Sequence, residues 1–335
     1  MQRHINAWQE ERLCILIMTE TKAMSEKNIS GFRKWVIYQR ERFPLLGHGP
    51  LVAAFSSSAV CFSSLLRGSH VFPRLTTFVA AFFGSLFFFL QLRIADEFKD
   101  FEEDARYRPY RPIPRGLVTL RQVGTVGIIS AIVQLGLTYW LYTPLILWLV
   151  LTWSYLGLMG KEFFIGRWLR AHPFTYMWTH MLIMPLIDVY TSGCDWLPAG
   201  AALPGGLKWF LIASFFNGMV IEVGRKIRAP EMEEHGVQTY TVIWGRMGAV
   251  FAWLGAMLLT LVFALVAASR IGFLPVVSWI LGILFSLSAV LGILFLGKPV
   301  KRYARLFEPL SGIWTLLLYL GLGVIPMFIR SGRLF

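Results

Sequence analysis

Residues 71–104 read VFPRLTTFVAAFFGSLFFFLQLRIADEFKDFEED. The stretch 71–95 is apolar apart from a few polar residues, and its only charges are Arg74 and Arg93. About 20 apolar residues of helix cross a bilayer core, because a helix satisfies its backbone polar groups internally where no water is available. The stretch therefore predicts a transmembrane helix. Residues 96–104, which we call the first motif, follow it directly and hold six carboxylates.

Similar apolar runs fill most of the chain. Hydrophobic residues make up 56% of the 335 residues and charged residues only 15%, which is not the composition of a soluble domain. The runs are 49–66, 71–95, 119–142, 144–160, 173–192, 207–224, 247–268, 272–296 and 309–329. We predict an all-α fold, a polytopic membrane bundle of nine transmembrane helices over 49–330. The segment 1–48 is expected to be cytoplasmic, with a surface helix around Ile29 to Arg42.

The Lys and Arg residues are distributed unevenly over the loops. The loops 96–118, 161–172, 225–246 and 297–308 hold five, three, four and four of them. The opposite joints 67–70, 143, 193–206 and 269–271 hold one, none, none and one. The positive-inside rule then places the N-terminus and the charged loops in the cytoplasm. The Lys and Arg residues that give the net charge of +13 are spread over the ends of apolar runs. This pattern indicates contact with membrane lipids and argues against binding to nucleic acid.

Three aspartates of the first motif share one helical face. Asp96, Asp100 and Asp104 are spaced i, i+4, i+8, so they lie about 6 Å apart along the axis. Like charges at this spacing repel one another. Mg²⁺ commonly takes one or two carboxylates together with substrate phosphates, so the motif predicts Mg²⁺-bridged binding of a diphosphate. The alternative is a solvated acidic face paired with neighbouring Lys and Arg side chains.

The segment that follows the first motif favours the diphosphate site. Residues 106–116 read RYRPYRPIPRG, and we call them the arginine–proline segment. Its prolines exclude a helix and hold an extended, rigid turn. Arginines held on such a turn can fold back over an anion bound at the acidic face.

These residues resemble the UbiA superfamily of intramembrane prenyltransferases. That family carries Asn-Asp-x-x-Asp-x-x-x-Asp at the end of its second helix, followed by Arg-Pro-Ile/Val-x-x-Gly. Asp96 stands here for the Asn and Glu97 for the first Asp, Asp100 and Asp104 match, and residues 111–116 match the second pattern. The resemblance implies that Asp96, Glu97, Asp100 and Asp104 bind Mg²⁺.

A second charged segment departs from the family pattern. Residues 222–240, the second motif, read EVGRKIRAPEMEEHGVQTY. The family has two aspartates eight and four residues before a glycine, but before Gly236 these positions hold Arg228 and Met232. Glu231 is the expected substitute as a metal ligand. The resemblance and the local charge together assign diphosphate binding to five cations: Arg111, Lys161, Arg225, Lys226 and Arg228.

Three polar residues fall inside apolar runs. A charge at that depth is costly, so Glu222 is expected either to face the cavity, where it orients or deprotonates an acceptor, or to pair with Arg225 or Lys226. Asn217 is expected to face the bundle interior. Asp188 is expected to be exposed near the outer end of its run.

The function implied is Mg²⁺-dependent transfer of a prenyl group from an isoprenoid diphosphate to an aromatic or lipid acceptor within the membrane. The expected catalytic residues are Asp96, Asp100, Asp104 and Glu222. Two alternatives remain open because the second motif is altered. One is an intramembrane terpene cyclase of the same superfamily. The other is a non-catalytic relative that binds or carries an isoprenoid or another lipid.

Overall fold

Helices account for the regular structure of the chain. A computed structural model describes residues 31–332, and within that range no strand is present. In chain order the helices are α1 (Gly31–Arg42), α2 (Leu45–Leu66), α3 (Leu75–Lys99), α4 (Phe101–Tyr107), α5 (Leu120–Leu141), α6 (Ile146–Gly160), α7 (Gly166–Ala171), α8 (Pro173–Met181), α9 (Ile183–Trp196), α10 (Leu207–Gly224), α11 (Tyr240–Arg270), α12 (Leu274–Gly297), α13 (Lys301–Leu322) and α14 (Val324–Ser331). Short 3-10 turns lie at Thr143–Leu145, Glu162–Phe164 and Pro230–Met232.

Eight stretches within residues 31–332 are long and apolar enough to cross a membrane. They are α2, α3, α5, α10, α11 and α12, together with Thr143–Gly160 and Lys301–Ser331. The all-α, polytopic fold predicted from the sequence is therefore confirmed. A helix also occupies Gly31–Arg42, and its position at the membrane surface stays a prediction.

The remaining predicted run, 173–192, is built from two consecutive helices. α8 has 9 residues and α9 has 14, and they are separated at Leu182. Pro185 has no N–H to offer the carbonyl four residues earlier, which is that of Met181. The interruption falls at that point, so the run is divided although its hydropathy is continuous.

A kink at a glycine lies two residues before the seventh predicted run, which begins at 247. Gly245 lies inside α11 with φ +71° and ψ 168°, which is not helical. Glycine adopts positive φ at no steric cost, so the first turn of α11 is set off from its apolar part. The predicted boundary thus coincides with a kink.

The chain divides into two compact units. Within the described residues, unit 1 contains 31–49 together with Phe87–Val133, and unit 2 contains Pro50–Leu86 together with 134–332. The first motif belongs to unit 1 and the second motif to unit 2. Unit 1 has its own apolar core, which consists of Tyr38, Ile94, Ile113, Leu117, Val118 and Val123.

Unit 2 is organised around successive packed helices. α10 packs along α11, α11 along α12, and α12 along α13. Trp253 and Trp314 are fully buried, whereas Trp279 and Ile283 on α12 are 74% and 56% exposed. Large apolar side chains on an outer face are what a lipid environment allows, since lipid tails are themselves apolar.

Candidate active site

The carboxylates of the first motif lie at the junction of α3 and α4. The backbone N–H of Asp100 donates to Asp96 O at 2.9 Å, and the N–H of Asp104 donates to Asp100 O at 2.8 Å. This i to i−4 bonding continues across the junction between the two helices. The three aspartates therefore keep the helical spacing that places them on one face.

Asp104 is buried and held by arginines. The residue is 2% exposed. Its Oδ1 lies 2.7 Å from Arg108 Nη2, and its Oδ2 lies 2.5 Å from Arg111 Nη1. Arg111 thus folds back from the arginine–proline segment onto the acidic face, and Asp104 is the anion it contacts.

Glu97 is buried in the same way. It is 3% exposed, and its Oε1 accepts from Arg42 Nε at 2.5 Å and from Arg93 Nε at 3.3 Å. Burying a carboxylate without a cation is strongly unfavourable, so these pairs are what allow Glu97 to lie inside unit 1.

Asp96 and Asp100 have a different environment. Their side chains are 36% and 35% exposed, and Lys99 Nζ lies 3.4 Å and 3.9 Å from them. Burial of Asp100, added to the nearby Asp96, Asp104 and Glu103 carboxylates, raises the pKa of Asp100, and Lys99 opposes the rise. These two carboxylates, one helical turn apart, are therefore partly exposed and repel one another, with Lys99 near both and Arg93 Nη1 3.9 Å from Asp96.

The carboxylates of the first motif fit the usual protein ligands of Mg²⁺. Among residues 31–332 no three His, Cys, Asp or Glu side chains come together as a complete metal centre. Mg²⁺ does not require one, because it typically takes one or two carboxylates and completes its shell with water and phosphate oxygens. Asp96 and Asp100 can supply that pair, whereas Glu97 and Asp104 are held by arginines.

In the second motif, Glu222 pairs with its neighbours at the end of α10. Its Oε2 lies 2.5 Å from Arg225 Nη2, and its Oε1 lies 2.7 Å from Lys226 Nζ. Lys226 Nζ also lies 5.5 Å from the centre of the Tyr240 ring. Of the two roles expected for Glu222, the structure shows the ion pair.

Two other glutamates of the second motif, Glu231 and Glu233, bind groups of the chain itself. Glu231 Oε1 accepts from the backbone N–H of Lys301 at 2.8 Å. Lys301 is the first residue of α13, so Glu231 satisfies one of the N–H groups that a helix start leaves unpaired. The Glu233 carboxylate accepts from the Thr239 hydroxyl at 2.8 Å and from the Thr241 hydroxyl at 2.5 Å.

Two predicted diphosphate-binding cations have no ion pair within residues 31–332. They are Lys161, which is exposed at the end of α6, and Arg228, which is partly buried. Glu162, Phe163 and Phe164 follow Lys161 with φ of +48°, +53° and +61°, values that are uncommon for residues other than glycine. This left-handed turn redirects the chain directly after the lysine.

The family is decided by comparison with known proteins. The model of the UbiA prenyltransferase family matches residues 57–311. The chain belongs to this family. It is an integral, multi-pass membrane protein. Among curated proteins no significant match is found.

Two solved structures share the UbiA fold with this chain. An apo UbiA homologue from Aeropyrum pernix K1 is 13% identical with a TM-score of 0.61, over 83% of this chain and 98% of the homologue. A digeranylgeranylglyceryl phosphate synthase is 16% identical with a TM-score of 0.56, over 88% of this chain and 99% of the synthase. At such low identity the likeness concerns the fold alone.

The interior of unit 2 corrects one expectation for this UbiA protein. Asp188 was expected to be exposed, but it is 0% exposed, and the Ser214 hydroxyl lies beside it. Asn217 is buried as expected, and its Oδ1 accepts from the Thr315 hydroxyl at 3.1 Å. The expectation for Asp188 was wrong because distance along a helix indicates depth and not which face is turned inwards.

Sequence reasoning missed two residues, one that contacts the arginine–proline segment and one that contacts the first motif. Glu41 and Arg42 end α1 and reach Arg115 and Glu97. Their partners lie 74 and 55 residues away along the chain. The only sequence signal for them was a pair of adjacent opposite charges, Glu41 and Arg42, shortly before the first apolar run. No helical spacing relates this pair to the first motif.

Proposed function

We propose that this UbiA-family protein transfers a prenyl group from an isoprenoid diphosphate to an aromatic or lipid acceptor within the membrane, with Mg²⁺ as cofactor. One observation carries the proposal. Asp96 and Asp100 are partly exposed one helical turn apart, while Glu97 and Asp104 in the same motif are buried against arginines.

Asp96 and Asp100 would hold the Mg²⁺, which supplies positive charge against the negative charge that develops on a departing diphosphate. Asp104 and Glu97 contribute by keeping Arg111 and Arg93 at the motif. Lys161 and Arg228 are proposed to bind diphosphate oxygens. A guanidinium group does this bidentately and keeps its charge at any physiological pH.

In the proposed reaction the bond between the allylic carbon and the diphosphate oxygen breaks, and its electron pair leaves with the diphosphate. The acceptor nucleophile forms the new bond to that carbon and then loses its proton. The apolar helices exclude water, which would otherwise capture the allylic cation. Glu222 is assigned the role of orienting Arg225 and Lys226.

The first experiment measures diphosphate release by the purified protein from a panel of allylic diphosphates, with and without Mg²⁺. We expect Asp100→Asn to abolish Mg²⁺-dependent release, because it removes a negative ligand of the proposed ion. Glu102→Gln is the matched control, since Glu102 is exposed in the same motif and has no ion pair in the described part of the chain. Asp100→Asn with the turnover of the unaltered protein would contradict the magnesium site.

The organic product distinguishes the alternatives. A prenylated acceptor supports transfer, and a cyclised hydrocarbon or alcohol formed without acceptor supports a terpene cyclase. Mg²⁺-dependent binding of the diphosphate that never leads to release, with any acceptor of the panel, supports a carrier. All three outcomes require Asp96 and Asp100 for Mg²⁺-dependent binding, and only the two enzymatic outcomes go on to release diphosphate.

A further inference from the structure

The end of α1 inserts two opposite charges into the first-motif region of unit 1. The Glu41 carboxylate accepts from Arg115 Nη1 at 2.8 Å and from Nη2 at 3.1 Å. Arg42 Nε lies 2.5 Å from Glu97 Oε1, and Arg42 Nη2 lies 3.9 Å from Asp104 Oδ2. One helix therefore contacts both the carboxylates of the motif and the arginine–proline segment.

Both arginines of these contacts are buried, while Glu41 is 31% exposed. The Arg115 side chain is 0% exposed and the Arg42 side chain 9% exposed. Tyr38, one turn before Arg42, is 5% exposed and packs with Ile94 and Ile113 in the core of unit 1. α1 is thus part of the structure that surrounds the first motif and not a separate tail.

Arg42 lies where the motif needs positive charge. Glu97 and Asp104 are both almost fully buried, and the Arg42 guanidinium lies near both of them. In a metal site built from every carboxylate of the motif, a divalent cation would balance these two. Here cations belonging to the chain do so: Arg93 helps to neutralise Glu97, and Arg108 and Arg111 neutralise Asp104. Arg42, which comes from α1, contributes to both.

We propose that Arg42 is a positioning residue: as the cation shared by Glu97 and Asp104, it acts together with Arg93, Arg108 and Arg111 to keep these two carboxylates out of metal coordination. The first motif then binds a single divalent ion through Asp96 and Asp100. This inference rests on the proposed function, because it divides the carboxylates of the same magnesium site. Glu41 supports the arrangement by holding Arg115 and with it the arginine–proline segment.

The test counts bound Mn²⁺, a paramagnetic substitute for Mg²⁺, by electron paramagnetic resonance on the purified full-length protein in nanodiscs. We expect one Mn²⁺ per unaltered protein and a second in Arg42→Gln, because that variant leaves Glu97 and Asp104 with less neutralising charge. Arg42→Lys, which keeps the cation, is expected to bind one. When Mg²⁺ is then titrated in, it should displace one Mn²⁺ from the unaltered protein and two from Arg42→Gln.

The matched control is Arg40→Gln. Arg40 lies on α1 and is exposed, with no ion pair within residues 31–332. Its replacement removes the same charge from the same helix, so we expect one bound Mn²⁺ and an unchanged melting temperature. The double variant Arg42→Gln/Glu97→Gln removes both members of the pair. It is expected to return to one Mn²⁺ and to recover at least half of any melting temperature lost in Arg42→Gln.

The outcomes separate the two proposals. An Arg42→Gln variant that binds one Mn²⁺ as tightly as the unaltered protein overturns the role of Arg42 and leaves the magnesium site standing. An unaltered protein that binds no Mn²⁺ overturns the magnesium site and this inference with it. If Arg42→Gln does not fold, the double variant and Arg42→Lys decide, and two Mn²⁺ in either one overturns the proposal.

Discussion

At the scale of single residues, the cations of the second motif fall into two groups. Arg225 and Lys226 are paired with Glu222, whereas Arg228 has no carboxylate partner within residues 31–332. A cation that the chain does not neutralise is available to an external anion. Arg228 is therefore the residue of this motif whose loss should affect substrate binding most directly.

We expect Arg228→Gln to raise KM for the isoprenoid diphosphate about 10- to 100-fold, since a hydrogen bond to a charged group contributes about 1.5–3 kcal/mol. Steady-state kinetics at saturating Mg²⁺ measures this. Arg246→Gln is the control, because Arg246 is exposed near the start of α11 and has no ion pair in the described range. Equal KM values for the two variants would contradict the role of Arg228.

At the scale of elements, close helix contacts in unit 2 depend on small residues. Gly323 lies between α13 and α14, and a Cβ there would overlap backbone atoms of Ser58 in α2. Backbone atoms cannot move aside as the end of a flexible side chain can. Small residues allow this close approach between membrane helices, where packing rather than water exclusion drives association.

Gly323→Ala is expected to destabilise the protein by about 1–3 kcal/mol, the usual result of overpacking. Gly312→Ala in α13 is the control, because no atom lies within 4 Å of a Cβ at that position. Replacing a mid-helix glycine by alanine favours the helix by about 0.8–1 kcal/mol, so the two variants should shift stability in opposite directions. Unfolding in mixed micelles measures the change in unfolding free energy for both variants. If both changes have the same sign, the explanation is wrong.

At the scale of the whole molecule, the loop charges predict the orientation in the membrane. Loops with three to five Lys or Arg alternate with joints that have at most one. We expect a membrane-impermeant maleimide to label Glu102→Cys from the cytoplasmic side and Leu203→Cys from the opposite side. The background for these variants would lack Cys14, Cys61 and Cys194. Labelling of Glu102→Cys from the outer side alone would show that the topology is inverted.

The sequence by itself determined the membrane bundle and the spacing of the first motif. Both depend on local physics, namely the length of apolar helix that a bilayer requires and the 3.6-residue period that brings Asp96, Asp100 and Asp104 to one face. Pro185 also marked, in retrospect, where the run 173–192 divides.

Only the tertiary structure decided which carboxylates of the motif remain open. Arg42 neutralises Glu97 from 55 residues away, and Asp188 turns inwards although its depth in the run suggested exposure. Neither contact can be read from the periodicity of the sequence or from the spacing of its residues, because each depends on which face of a helix packs against another part of the chain. The electrostatics of a buried site depend on such contacts between residues distant in sequence. In a low dielectric, the energy of a charged group depends mainly on its nearest oppositely charged partner.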